Sequence, residues 1–138
     1  RNKMEKEEIL KGNKLIAKFM PNMVFIEPKN KDCKSYWRKL DADNLPMAEY
    51  IKDGLRYHSS WDWLMPVVEK IEKSGCIVEM SLSLGGFCRI VWIGRKGEGA
   101  TSFNNQDNNL LNCTFQTVIE FIEYFNQHPI NQKTDENN

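Results

Sequence analysis

Apolar positions in this chain change period at Gly75. Before it, Leu64, Val67, Val68 and Ile71 recur at i, i+3, i+4 and i+7, the stripe of an amphipathic helix. Ser59 or Ser60 supplies a cap and Gly75 a left-handed exit. Beyond Gly75 the period is two: Cys76, Val78, Met80, Leu82 and Leu84 alternate with Ile77, Glu79, Ser81 and Ser83. That alternation predicts a strand, and Gly85-Gly86 turns it into a hairpin with Phe87–Ile93. A three-residue loop keeps the apolar sets together. It pairs Val78 with Trp92, Met80 with Ile90 and Leu82 with Cys88, and leaves Arg89 beside Ser81. The second face, Ile77, Glu79, Ser81, Arg89, Val91 and Ile93, is half apolar and half polar. Pro66 lacks the N–H that a helix interior needs, so Trp61–Met65 is expected to form a separate turn. The regular helix would then start at about Pro66, with Trp61 and Trp63 splayed from its axis.

Residues 5–20 predict a first helix ended by Pro21, and Met23–Ile26 a strand buried on both faces. Cys33–Leu40 alternates loosely as a further strand. Residues 44–53 read as a short helix, with Asn44 as cap, Pro46 in the first turn and Gly54 at the exit. Residues 97–109, GEGATSFNNQDNN, read as a long polar loop. Thr114–Asn126 is a closing helix with Phe115, Val118, Ile119, Ile122 and Phe125 on one face, widened by Phe121 and Tyr124. So wide an apolar arc predicts a homo-oligomer. The tail from Pro129 reads as disordered. The fold class is α+β, an α/β sandwich: one domain over residues 1–128, with a small antiparallel sheet, a central hairpin and flanking amphipathic helices.

Composition narrows the possible partners. Hydrophobic residues make up 41% and charged residues 28% of 138, as expected of a globular domain. Nineteen basic and nineteen acidic side chains cancel, so no global field draws duplex nucleic acid or an anionic membrane. No window reaches the roughly 20 apolar residues of a membrane span. The charged N-terminus has no signal-peptide run, which points to the cytosol. Cys33, Cys76, Cys88 and Cys113 show no zinc-ligand spacing and read as free thiols, so no metal or cofactor is expected.

Candidate chemistry is sparse. The segment Gly94–Gly99 has the GxxxxG spacing of a phosphate loop, but Ala100-Thr101 replaces the Lys-Ser/Thr that would reach phosphate and magnesium. Arg95, Lys96 and nearby backbone N–H groups still suit an anion. His58, Ser59, Ser60 and Asp62 lie too close in sequence for a triad assembled from different segments, and read as helix capping. Tyr36-Trp37-Arg38-Lys39 interleaves rings and cations as base-stacking surfaces do.

The segments Asn13–Met20, Tyr57–Glu72 (YHSSWDWLMPVVEKIE), Cys76–Ile93 and Val118–Asn126 resemble a group of small phage and prophage proteins, similar to the phage α-β-α sandwich family. Trp61-Asp62-Trp63 is the most specific part of that likeness. The resemblance supplies no catalytic residue. It implies a phage accessory factor in a bacterial cytosol, a class that includes inhibitors of host defence. The leading expectation is a non-enzymatic protein that sequesters a small anionic ligand, a nucleotide immune signal. Trp37, Trp61 or Trp63 would stack on it, and Arg38, Arg89, Arg95 and Lys96 would pair with its charge. The alternatives are a direct inhibitor or adaptor of a host defence protein, and a structural phage component.

Overall fold

Glu5 starts the first helix, α1 (Lys6–Phe19), where its backbone N–H donates to Glu8 Oε1 at 2.9 Å. The computed structural model describes residues 4–94 and 99–128. The chain divides into two compact units at Tyr57/His58. Among the described residues it holds three α-helices and two three-stranded antiparallel sheets, an α+β fold.

In the first unit α1 packs against β1 (Met23–Ile26), which pairs with β2 (Tyr36–Leu40), and β2 with β3 (Pro46–Tyr50). Ile16, Ala17, Met23, Trp37, Leu55 and Tyr57 form the buried set. Gly12 and Asn13, a weak point for an isolated helix, are buried, and Asn13 Nδ2 donates to the Leu55 carbonyl at 3.2 Å. The short helix expected over 44–53 is instead β3, followed by one 3-10 turn. Asp41 Oδ1 accepts from the N–H groups of Asp43 and Leu45 at 2.8 and 2.9 Å. Asn44 has φ 64°. An Asx-type turn with a left-handed asparagine reverses the chain there, so Asn44 makes a hairpin rather than a cap.

The second unit opens with α2 (Trp61–Lys73), which runs through Pro66. The expected break at Met65 is absent. Trp63 and Leu64 N–H already bond the Ser60 carbonyl, and proline forfeits only the bond to the Asp62 carbonyl one turn back. Trp61 and Trp63 therefore belong to the first turn of the helix, both half-buried. Ser60 is the capping residue by backbone, but its side chain makes no cap bond. Pro66 is exposed, so replacing its ring opens no cavity. Pro66→Ala is expected to raise stability by about 2 kcal/mol, the interior-proline penalty less the gain in unfolded-state entropy. Thermal denaturation checks this, and an unchanged or lower Tm would contradict it.

Strand β4 (Cys76–Ser81) pairs with β5 (Phe87–Ile93), and β5 with β6 (Ala100–Gln106). The register corrects the expected hairpin by two residues: Val78 faces Ile90, Met80 faces Cys88, Cys76 faces Trp92, and Arg89 faces Glu79. The faces are as expected, because a two-residue shift preserves them. The loop is longer than three residues, and Leu82 and Leu84 lie in the turn at 75% and 81% exposure rather than in the strand. The polar loop expected over 97–109 contains β6. Its Thr101, Phe103 and Asn105 are half-buried and alternate with exposed Ser102, Asn104 and Gln106. The closing helix, α3 (Leu110–Gln127), is capped by Asn109, whose side chain accepts from Asn112 N–H at 3.1 Å. It packs on β5 and β6, while α2 packs on β4 and α3. Phe115, Val118, Phe121 and Ile122 are fully buried or nearly so, so the apolar arc of α3 is largely covered within its own unit.

Candidate functional site

On β2 successive side chains point to opposite faces, so Trp37 and Arg38 diverge. Trp37 is 2% exposed and lies against the Phe25 ring, with centroids 5.0 Å apart. It is a core residue rather than a stacking platform. Arg38 faces the other way, toward Glu49 across the strand pair. Its guanidinium donates to Glu49 Oε2 at 3.2 Å and to the Tyr36 hydroxyl at 3.0 Å. Val24 and Met47 are exposed in the strands on either side of β2.

Arg89 sits mid-strand on β5, on the sheet face opposite buried Cys88 and Ile90. Its Nε lies 3.0 Å from Glu79 Oε1 on the neighbouring strand. Trp61 and Trp63 belong to α2. Arg95 and Lys96 lie outside the described residues, as does the tail from Pro129. Among the described residues, Trp37 and Arg38 lie on opposite faces of β2 and do not line one cavity. The glycine segment does not follow the phosphate-loop plan either. Gly94 N–H bonds the Gly99 carbonyl at 2.9 Å, and Ile93 pairs with Ala100. The segment joins two strands, whereas a phosphate loop leads from a strand into a helix.

Of the four cysteines only Cys33 is exposed. His58 has its ring against Phe115, with centroids 6.0 Å apart. Cys76, Cys88 and Cys113 are buried. Burial pushes the Cys76 and Cys113 thiols up to about 11, and the Cys88 thiol also upward. Thiolate is the nucleophilic form, so all three are poor nucleophiles. Burial also raises the Glu120 carboxyl, although Asn105 Nδ2 donates to it at 3.2 Å. Among the described residues no three His, Cys, Asp or Glu side chains gather for a metal. No described helix is long and apolar enough to cross a membrane.

The most unusual local geometry is the tip of the β4–β5 hairpin. Ser81 Oγ accepts from Ser83 N–H at 3.0 Å, and Gly85 N–H closes a turn on the Leu82 carbonyl at 3.1 Å. Leu84 lies at φ 55° and Gly85 at φ 98°. A left-handed leucine costs of order 1 kcal/mol and is rare. The next two residues are pinned: Gly86 O accepts from Asp107 N–H at 3.0 Å. A Cβ on Gly86 would come within 2.6 Å of the Leu110 backbone, and one on Gly85 within 2.8 Å of Asn108 Cα. The tip therefore rests on the chain leading into α3, and it holds Leu82 and Leu84 out into solvent. Sequence reasoning placed these two leucines in the strand, because they continue its period. The glycine pair and Ser83 between the leucines were the available signal for a turn.

The chain matches no family model, no curated protein and no solved structure.

Proposed function

We propose that the chain is a non-enzymatic accessory protein of the phage type that acts by direct contact with another protein, as an inhibitor or adaptor. The observation that carries this reading is the braced hairpin tip. A strained leucine 81% exposed gains nothing from its own fold, and strain of this kind concentrates at functional positions. Burying a leucine side chain is worth roughly 1.5–3 kcal/mol, so two of them make an effective apolar anchor for a pocket on a partner. The reading is tested with photo-crosslinking side chains at positions 82 and 84 in bacteria that express the protein. The captured partner is then purified and its binding measured by calorimetry. Leu84→Gly is expected to keep folding stability within about 1 kcal/mol, since relief of strain offsets the entropy of glycine. It should weaken binding by about tenfold or more. Unchanged affinity in both Leu84→Gly and Leu82→Ser would remove the tip from the account.

Sequestration of a small anion is a second reading, favoured by the exposure of the two arginine pairs. The Arg38 and Arg89 side chains are 32% and 45% exposed, and ion pairs so open are worth about 1 kcal/mol or less. A phosphate able to take two guanidinium hydrogen bonds could displace either carboxylate. Native mass spectrometry with cyclic and linear nucleotides tests it. Bound mass in fixed ratio to the chain, lost in Arg38→Ala or Arg89→Ala, supports the reading, and no added mass removes it.

A further inference from the structure

We infer that the outer face of the β4–β5–β6 sheet is where two copies of this chain meet about a two-fold axis. Strand register sets out that face in rows: Ile77, Val91 and Ser102, then Glu79, Arg89 and Asn104, then Ser81, Phe87 and Gln106. Ile93 and Ala100 close the far end. Ile77 and Ile93 are 49% and 57% exposed, large β-branched side chains left in water on a sheet whose other face holds the buried Cys76, Cys88 and Ile90.

Charge argues for a second copy as the occupant. A two-fold interface uses the same patch twice, so the patch must complement itself. The middle row has one acid and one base on neighbouring strands. Rotation about an axis through it sets Glu79 of one copy against the partner's Arg89, and Arg89 against the partner's Glu79. The four groups alternate in sign, so no charge is enclosed without an opposite neighbour. An anionic membrane or nucleic acid would select a basic face, and this face balances one arginine with one glutamate. The whole chain sums to zero formal charge, so no long-range repulsion keeps copies apart. Two such faces stack about 10 Å apart with side chains interleaved, which removes Ile77 and Ile93 from water. The intrachain Glu79–Arg89 pair has little to lose, being open to solvent on both sides.

The inference does not rest on the proposed protein partner, and its test needs only the purified chain. Sedimentation equilibrium from about 1 to about 100 μM, a range that brackets a micromolar dimer, is expected to return a dimer for the native sequence. Glu79→Arg and Arg89→Glu are each expected to weaken it at least tenfold, because each gives the face a single sign. An equal mixture of the two variants should restore a dimer with one copy of each. Circular dichroism confirms that each variant is folded. Should either charge change disturb the sheet, Ile77→Ser with Ile93→Ser gives the same tenfold weakening without touching the charged row. A native chain that stays monomeric across the range overturns the inference. So does undiminished dimerisation in folded variants, or a mixture of the two folded charge variants that stays monomeric.

Discussion

Alanine in place of Phe115 is expected to cost the protein about 4 kcal/mol of folding stability, the range found when a buried phenylalanine is truncated. Phe115 is fully buried on α3, with the His58 ring packed near it. Its ring contributes to the core of a unit whose one sheet is covered by α2 and α3. Domains have only about 5–15 kcal/mol in total, so the variant should unfold at much lower denaturant concentration. The midpoint should fall while the slope of the transition is kept, because the same surface is exposed on unfolding. Leu82→Ala is the control, since a side chain 75% in solvent should change stability by about 0.5 kcal/mol or less. Equal losses in the two variants would mean that the core is not where α3 places it.

Gly86→Ala is expected to cost about 3 kcal/mol for the addition of one methyl group. The backbone there is extended, with φ 175°, so alanine brings no conformational strain. The cost is steric. The new Cβ would meet Leu110 N and Cα at 2.6 Å and the Asn109 carbonyl carbon at 3.0 Å. These are backbone atoms at the start of α3 and cannot turn aside as a flexible side chain can. Either the hairpin tip lifts, losing the Asp107 N–H to Gly86 carbonyl bond, or the first turn of α3 shifts and its Asn109 cap with it. Overpacking of this kind costs about 1–3 kcal/mol and occasionally more, and here the loss of a cap adds to it. Thermal denaturation measures the loss. Hydrogen exchange locates it, with protection expected to fall first at the N–H groups of Asp107 and Asn112. A variant as stable as the native protein would show that the tip and α3 are not in contact.

Much of the fold could be read from periodicity. The Leu64–Ile71 stripe and the wide arc of α3 have a buried side chain at most of the informative positions. Met23–Ile26, expected to be buried on both faces, instead leaves Val24 and Phe25 38% and 40% exposed, and β4 buries only Cys76. Where the reading failed, the decisive contacts were polar or made by backbone. In β6 only Phe103 is a large apolar residue facing inward. Its neighbour Asn105 is accommodated by Thr117 Oγ1 at 3.0 Å and Glu120 Oε1 at 3.2 Å on α3, partners that sequence spacing does not announce. In β3 the helix-like signals of Asn44 and Pro46 were overridden by the Asp41 turn. The hairpin register slipped because Leu82 and Leu84 carry the strand's period past its end.

The candidate site was legible as residue types and illegible as geometry. Arg38 and Arg89 stand out by charge, but the carboxylates that hold them, Glu49 and Glu79, depend on which residues face each other across a strand pair. Trp37 stands out as a ring next to a cation, yet its burial follows from the alternation that sends Arg38 to the other face.

In both sheets each strand pairs with its immediate neighbour in the chain, β1-β2-β3 and β4-β5-β6. Every ladder can therefore be closed by a chain segment still near its partner, with little loop entropy lost in the search. Topologies built from such short-range pairings fold quickly for their content of sheet. A chain emerging from the ribosome could complete the first sheet soon after Tyr50 is exposed, before α2 and the second sheet exist.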